Sequence, residues 1–206
     1  MKETDLEIEK YILKLYQKNK GEKCMLYYIH GYMSEPNSKK GTLFRKTLGA
    51  KAIKYRDGKP EELIIFECID RINKEIKNDF EAILIGSSLG GLLAAKTALD
   101  NSNVKQLILL NPAIIPPYFD ISKIKDMPQR ILAGMQDSRL FEEKINSEIS
   151  ILAGDKDEVV PKDWILNFAK SQNVNVKFFD DDHSFTKNMK QLPEIITNIL
   201  NKNVKR

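Results

Sequence analysis

Ser88, Asp157 and His183 are the residues of this chain whose types and order could carry out nucleophilic acyl transfer. A serine hydroxyl is a weak nucleophile at neutral pH and needs a base within hydrogen-bond reach. The chain has two histidines, His30 and His183, so the choice of imidazole is narrow. A carboxylate must in turn orient that imidazole and stabilise its charged form. Ser88 is the centre of Gly86-Ser87-Ser88-Leu89-Gly90, a G-x-S-x-G frame that holds a hydroxyl clear of the backbone at a strand-to-helix elbow. Ser87 is off-centre in that frame. The plainer reading is a glycine-rich turn that only packs strand on helix. The flanking periodicity favours the elbow.

His183 lies in Asp180-Asp181-Asp182-His183-Ser184-Phe185, after the last expected strand, where the chain order Ser, Asp, His puts the base. Its plainer reading is an exposed loop histidine. The acid is expected at Asp157, within Gly154-Asp155-Lys156-Asp157-Glu158-Val159-Val160-Pro161. Asp155 is too near the strand end, and Glu158 is expected to point elsewhere after the turn. A competing role for Asp157 is to cap the helix that begins near Pro161. Asp180, Asp181 and Asp182 read as turn formers whose charge could favour imidazolium.

A developing oxyanion needs two aimed backbone donors, expected from Leu89, after the nucleophile, and Tyr32, after His30-Gly31. His30 as the base would break the chain order. It is expected to organise the oxyanion turn through hydrogen bonds. Gly31, Gly86, Gly90 and Asn111 complete the supporting set.

These residues need a scaffold that delivers strand ends to one place. A helix is expected over residues 3–18, ended by Gly21. Lys23–Ile29 reads as a strand, and a helix follows from Pro36 through Leu48. Ala50–Tyr55 is a short strand, residues 61–78 a helix, and Phe80–Ile85 a buried strand before the helix over 89–99. Val104–Leu110 is the next strand, closed by Asn111-Pro112. Residues 113–147 are irregular and rich in proline. Ile149–Ala153 resumes the sheet, 161–171 is helical, Val174–Phe179 is the last strand and 187–202 the last helix. Strands alternating with helices give an α/β class: a mostly parallel central sheet with helices on both faces. In such a sheet, functional residues gather at the carboxyl ends of strands. His30, Ser88, Asn111, Asp157 and His183 all fall there. That coincidence outweighs any one of them.

Residues 1–206 read as one domain, with 113–147 as a small cap or substrate-pocket insertion. Tyr32, Met33, Ile115, Tyr118 and Met135 are the named pocket residues, beside Ile114, Pro116, Phe119 and Met127. At 42% hydrophobic and 30% charged, disorder is not expected. Net charge is +4 with dispersed lysines, which argues against a nucleic-acid partner. Cys24 and Cys68 read as reduced thiols in packing, and no apolar run is long enough to span a membrane. The first nine residues lack the apolar core of a signal peptide, so a cytoplasmic location is expected. Two distant histidines make a poor zinc set, so no metal is expected. The glycines also miss the spacing of phosphate-binding and dinucleotide loops.

With those residues in view, the chain resembles the small bacterial esterases of the YqiA type within the α/β-hydrolases. The resemblance is carried by Tyr28-Ile29-His30-Gly31-Tyr32-Met33-Ser34-Glu35-Pro36-Asn37-Ser38-Lys39, by Ile85-Gly86-Ser87-Ser88-Leu89-Gly90-Gly91-Leu92-Leu93-Ala94 and by Leu109-Leu110-Asn111-Pro112-Ala113. Looser blocks are Gly154–Val160 and Asp182-His183-Ser184-Phe185. The 113–147 segment departs from the smallest members by its length. The resemblance implies an α/β-hydrolase fold and a carboxylesterase or thioesterase with nucleophile Ser88, base His183 and acid Asp157. It implies neither cofactor nor metal. The expected partner is a small-molecule ester or thioester, and the expected assembly a monomer or homodimer. A peptidase or amidase with the same triad, or a non-catalytic binding protein of the same fold, are the alternatives.

Overall fold

The strand that leads to Ser88 is buried along its whole length. In the computed structural model, which describes residues 25–203, that strand is β3 (Ala82–Ser87). It lies inside a six-stranded sheet with β1 (Leu26–Ile29), β2 (Lys51–Ala52), β4 (Val104–Leu110), β5 (Glu148–Gly154) and β6 (Val176–Phe179). The order is β2-β1-β3-β4-β5-β6, and every pairing among the described residues is parallel. The chain runs outward from β1 to β2, then returns to build the rest of the sheet from β3. The carboxyl ends of β1 and β3 therefore flank the switch point, where open α/β sheets leave a crevice. His30-Gly31 follows one of those ends and Ser88 the other.

Side-chain alternation along the strands sorts the core into two layers. Leu84, Leu107 and Leu109 face one side of the sheet. Ile83, Ile85, Ile108 and Leu110 face the other. On the first side pack α2 (Ile65–Ile76), α3 (Leu89–Asp100) and α6 (Lys162–Gln172). α2 presents Ile65, Cys68, Ile72 and Ile76, a spacing that keeps all four on one helix face. α3 is buried on nearly every side, so its sequence shows no polar stripe. The opposite face is covered by α1 (Lys39–Leu48) and α7 (Leu192–Asn203) through Phe44, Leu48, Leu192 and Ile196.

Several boundaries differ from the sequence reading. β3 starts at Ala82 rather than Phe80, whose ring is exposed, and it extends through Gly86 and Ser87 because these pair with Leu109 and Leu110. β2 is two residues long at the sheet edge, although the Ile53 N–H still donates to the Tyr28 carbonyl at 2.9 Å. The helix expected over 61–78 splits into a turn of 3-10 helix at Pro60–Glu62 and α2. α1 begins at Lys39, not Pro36, because the Ser38 hydroxyl caps it by accepting from the Gly41 N–H. The helix expected over 3–18, Gly21 and Cys24 lie outside the described residues. Cys68 is a buried free thiol whose pKa burial pushes up to about 11.

Residues 113–147 contain a turn of 3-10 helix at Ile121–Lys123 and two short α-helices, α4 (Gln129–Met135) and α5 (Arg139–Glu142), and join the first core layer. Ile114, Ile115, Ile131, Leu132, Met135 and Leu140 are all buried. The segment is also fastened by polar contacts. Lys96 of α3, itself buried, donates to the Gly134 carbonyl at 3.0 Å and pairs with Asp137 at 3.2 Å. Gln172 of α6 donates to the Leu140 and Glu143 carbonyls at 2.8 and 2.9 Å. Among the described residues no helix is long and apolar enough to cross a membrane.

Candidate active site

Ser88 occupies the sharp turn between β3 and α3 with φ 56° and ψ −120°. This is a mirror-image extended conformation that glycine adopts freely and other residues rarely do. The turn is held on both sides. The Ser88 N–H donates to the Leu110 carbonyl at 2.9 Å, and its carbonyl accepts from Gly91 and Ala113. The glycine frame is required by close approach: a Cβ at Gly90 would lie 2.1 Å from the Ile29 carbonyl oxygen, and one at Gly86 2.4 Å from that of Gly90.

Across the sheet, His183 and Asp157 meet. The imidazole Nδ1 lies 2.9 Å from Asp157 Oδ1 and 2.8 Å from Oδ2. A carboxylate only accepts, so Nδ1 carries the proton, and in the neutral ring Nε2 is left as an acceptor. Both side chains are sheltered, at 16% and 4% exposure. Asp157 Oδ1 also accepts from the Val159 and Val160 amides at 2.8 and 2.9 Å. Asp157 does not cap α6, whose N-cap is Pro161 with no side-chain hydrogen bond; the carboxylate that meets the imidazole instead closes a turn ahead of the helix. Glu158 does not point away: its Oε2 accepts from the His183 N–H at 3.3 Å. Asp155 accepts from the Asp181 N–H.

Two buried polar residues hold the loop that carries His183. Asn111, fully buried with φ 45°, donates from Nδ2 to the His183 and Asp182 carbonyls at 2.9 and 3.3 Å. Its Oδ1 accepts from the Gly154 N–H at 2.8 Å, so one side chain ties together the ends of β4 and β5 and the loop that carries His183. Asp181 accepts four hydrogen bonds, from the amides of Asp182, Lys187 and Asn188 and from Asn188 Nδ2. Despite the cost of burial, those donors hold its carboxyl below the ordinary carboxylate range. Asp180 pairs with Lys156 and Lys187, and Asp182 accepts from Thr186. Phe185, buried with φ 57°, anchors the loop in the second core layer. Lys40, half-buried in the first turn of α1, lies in the field of Asp182, Asp181 and Asp157; burial lowers its pKa against their attraction.

A depressed carboxyl stabilises the fold above its unfolded pKa near 3.9, and that contribution is lost as pH falls through the lower folded value. Asp181→Asn is therefore expected to cost about 2 kcal/mol at pH 7. It should also flatten the acid limb of stability below the ordinary carboxylate range. Thermal melts of both proteins between neutral and strongly acidic pH would show whether the two curves converge.

Of the expected oxyanion donors, Leu89 follows the serine in sequence and Tyr32 follows Gly31. Gly31 packs directly on Ser88: a Cβ there would lie 3.3 Å from Ser88 Cβ and 3.8 Å from Oγ. Among the described residues neither the Tyr32 nor the Leu89 amide donates to another group, and the Ser88 Oγ forms no hydrogen bond. His30 is buried, and its Nδ1 lies 2.9 Å from the Gly31 carbonyl oxygen. Burial, with a lesser contribution from Arg56, lowers the His30 pKa and keeps the ring neutral near pH 7. Of the named pocket residues, Met33 and Tyr118 are exposed, Tyr32 is half-buried, and Ile115 and Met135 lie in the core. Tyr118 is held at its hydroxyl by Asn167, and Phe119 packs edge-on against Trp164. No group of three metal-ligating side chains occurs among the described residues.

The pattern of the family described as Uncharacterised protein family (UPF0227) matches residues 25–199. The chain belongs to UPF0227. No curated protein matches this UPF0227 chain significantly. Solved structures do. Est1E from Butyrivibrio proteoclasticus is 21% identical, with a TM-score of 0.72 and 92% of each chain covered. Its structure with ferulic acid bound gives a TM-score of 0.74 at 19% identity, over 93% of this chain and 94% of that one. The monoacylglycerol lipase of Paleococcus ferrophilus is 14% identical, with a TM-score of 0.69 over 85% of this chain and 93% of its own. At such identities the likeness is one of fold. The UPF0227 chain has the α/β-hydrolase architecture, a parallel sheet flanked by helices on both faces.

Proposed function

We propose that this chain is a serine hydrolase that cleaves small carboxylic esters or thioesters through an acyl-enzyme, as its resemblance to YqiA-type esterases implies. The observation that carries the proposal is the His183 Nδ1 contact with both oxygens of Asp157, taken together with an elbow serine near which the Tyr32 and Leu89 amides form no hydrogen bond among the described residues. In the proposed cycle Ser88 Oγ attacks the carbonyl carbon and its proton passes to His183 Nε2. The carbonyl π electrons move to oxygen, which the Tyr32 and Leu89 N–H groups receive. Collapse expels the alcohol or thiol, which takes the proton from His183. Water then repeats the sequence on acyl-Ser88 and releases a carboxylic acid. The proposed cycle requires a hydrogen bond from Ser88 Oγ to His183 Nε2 as the hydroxyl attacks.

The choice of esters and thioesters over amides is the one that the resemblance to YqiA-type esterases implies. Met33 and Tyr118, both exposed, and the half-buried Tyr32 are proposed to meet the apolar part of the substrate. A fluorophosphonate is expected to add its phosphorus once per chain, on the peptide that contains Ser88. A panel of short- and medium-chain esters, thioesters and aminoacyl amides should show turnover of the first two. Labelling elsewhere, or amide cleavage outrunning ester cleavage, would overturn this assignment.

A further inference from the structure

Behind the oxyanion loop stands a residue that the triad does not include. Tyr55 follows β2, is completely buried, and donates its hydroxyl hydrogen to the Gly31 carbonyl at 3.1 Å. The same oxygen lies 2.9 Å from His30 Nδ1 and accepts from the Ser34 N–H at 3.3 Å. A carbonyl oxygen can only accept, so all three groups act as donors. That fixes His30 as the Nδ1–H tautomer. Burial holds the Tyr55 phenol far above its ordinary pKa, so it stays a donor throughout the working pH range.

The Gly31 carbonyl and the Tyr32 N–H belong to one planar peptide unit and point in opposite directions. Whatever fixes the oxygen therefore aims the N–H. Three donors on one carbonyl also polarise the unit, and hydrogen bonds in such chains strengthen one another. The Tyr32 N–H at the far end becomes both better aimed and a stronger donor. Neighbouring contacts keep Tyr55 in place. The His30 ring stacks on it at 4.3 Å, and the next residue, Arg56, reaches the same loop by donating to the Ser34 carbonyl at 2.8 Å. The Tyr55-Arg56 pair thus grips residues 31–34 from beneath.

We infer that Tyr55 is a positioning residue that sets the oxyanion hole by clamping the Gly31–Tyr32 peptide. The inference rests on the proposed acyl transfer at Ser88. The test is Tyr55→Phe, which removes one oxygen and keeps the ring that stacks on His30. On a p-nitrophenyl ester, kcat is expected to fall about tenfold with KM within twofold, since the interaction matters when charge develops on the substrate oxygen. The affinity of a trifluoromethyl ketone, which forms a tetrahedral adduct with an oxyanion, should fall by a similar factor. Affinity for the carboxylate product should hold.

A structural control is Ile53→Val, at a buried position two residues away. It should lower the melting temperature while kcat stays within twofold. The inference fails if Tyr55→Phe keeps full kcat, if ketone and product affinities fall together, or if Ile53→Val reproduces the kcat loss. Wild-type protein that resists fluorophosphonate at Ser88 would instead remove the acyl-transfer reading itself. The two failures are thus distinguishable.

Discussion

Ser88→Ala is expected to reduce kcat on the best ester by on the order of 10⁵-fold while the protein stays folded. The size follows from chemistry. Without Oγ there is nothing to acylate, and the residual rate comes from water attack on a carbonyl held near the Tyr32 and Leu89 amides. The preserved fold follows from the contacts. Ser88 is tied to Leu110, Gly91 and Ala113 through its backbone, and its side chain forms no hydrogen bond among the described residues. Alanine keeps those backbone contacts and retains the unfavourable φ of 56°. Ser88→Gly removes that strain and is expected to gain about 1 kcal/mol of stability with the same loss of turnover. Comparing kcat and thermal midpoint across wild type, alanine and glycine separates the two effects. Turnover within tenfold of wild type in either variant would show that another residue carries the acyl group.

That separation explains what was legible in the sequence. Ser88 stands out because its backbone demands small neighbours at fixed offsets, and local demands leave local marks. The sheet was legible for the same reason: buried parallel strands are short apolar runs, and helices repeat at their own period. Legibility drops where a residue's partner is far along the chain. Asp181 looks like one of three equivalent turn aspartates, and only its position against Lys187 and Asn188 distinguishes it. Tyr55 reads as an ordinary strand aromatic, because the carbonyl it serves is 24 residues earlier. Glu158 was expected to turn away, but the loop bends its carboxylate back to the His183 amide. The boundary of β3 shifted because register against β4, rather than hydrophobicity, decides which residues enter a ladder. The 113–147 segment has no clear period, since its apolar residues answer to a pre-existing core rather than to one face of a long helix.

The carboxylate of Asp157 offers the second large effect. Asp157→Asn is expected to lower kcat about 10⁴-fold, and the loop geometry dictates why so small a change should matter. Val159 and Val160 both donate to Oδ1, so an asparagine would place its carbonyl oxygen there and its amide nitrogen at the Oδ2 position. The Oδ2 position is the one 2.8 Å from His183 Nδ1. An NH₂ group at that point donates, and Nδ1 must then accept. The ring responds by moving its proton to Nε2, the nitrogen that takes the proton from Ser88 in the proposed cycle. A correctly placed imidazole is then held in the wrong tautomer. The chain's two histidines make this directly visible, because ¹⁵N spectra will contain only two imidazoles. In wild type both should be Nδ1–H, His30 through Gly31 and His183 through Asp157. In the variant one should switch to Nε2–H while His30, held by its own carbonyl, does not. If kcat stays within tenfold and neither ring changes, Asp157 is not the acid. Glu158, whose Oε2 already reaches the His183 backbone, becomes the carboxylate to replace next.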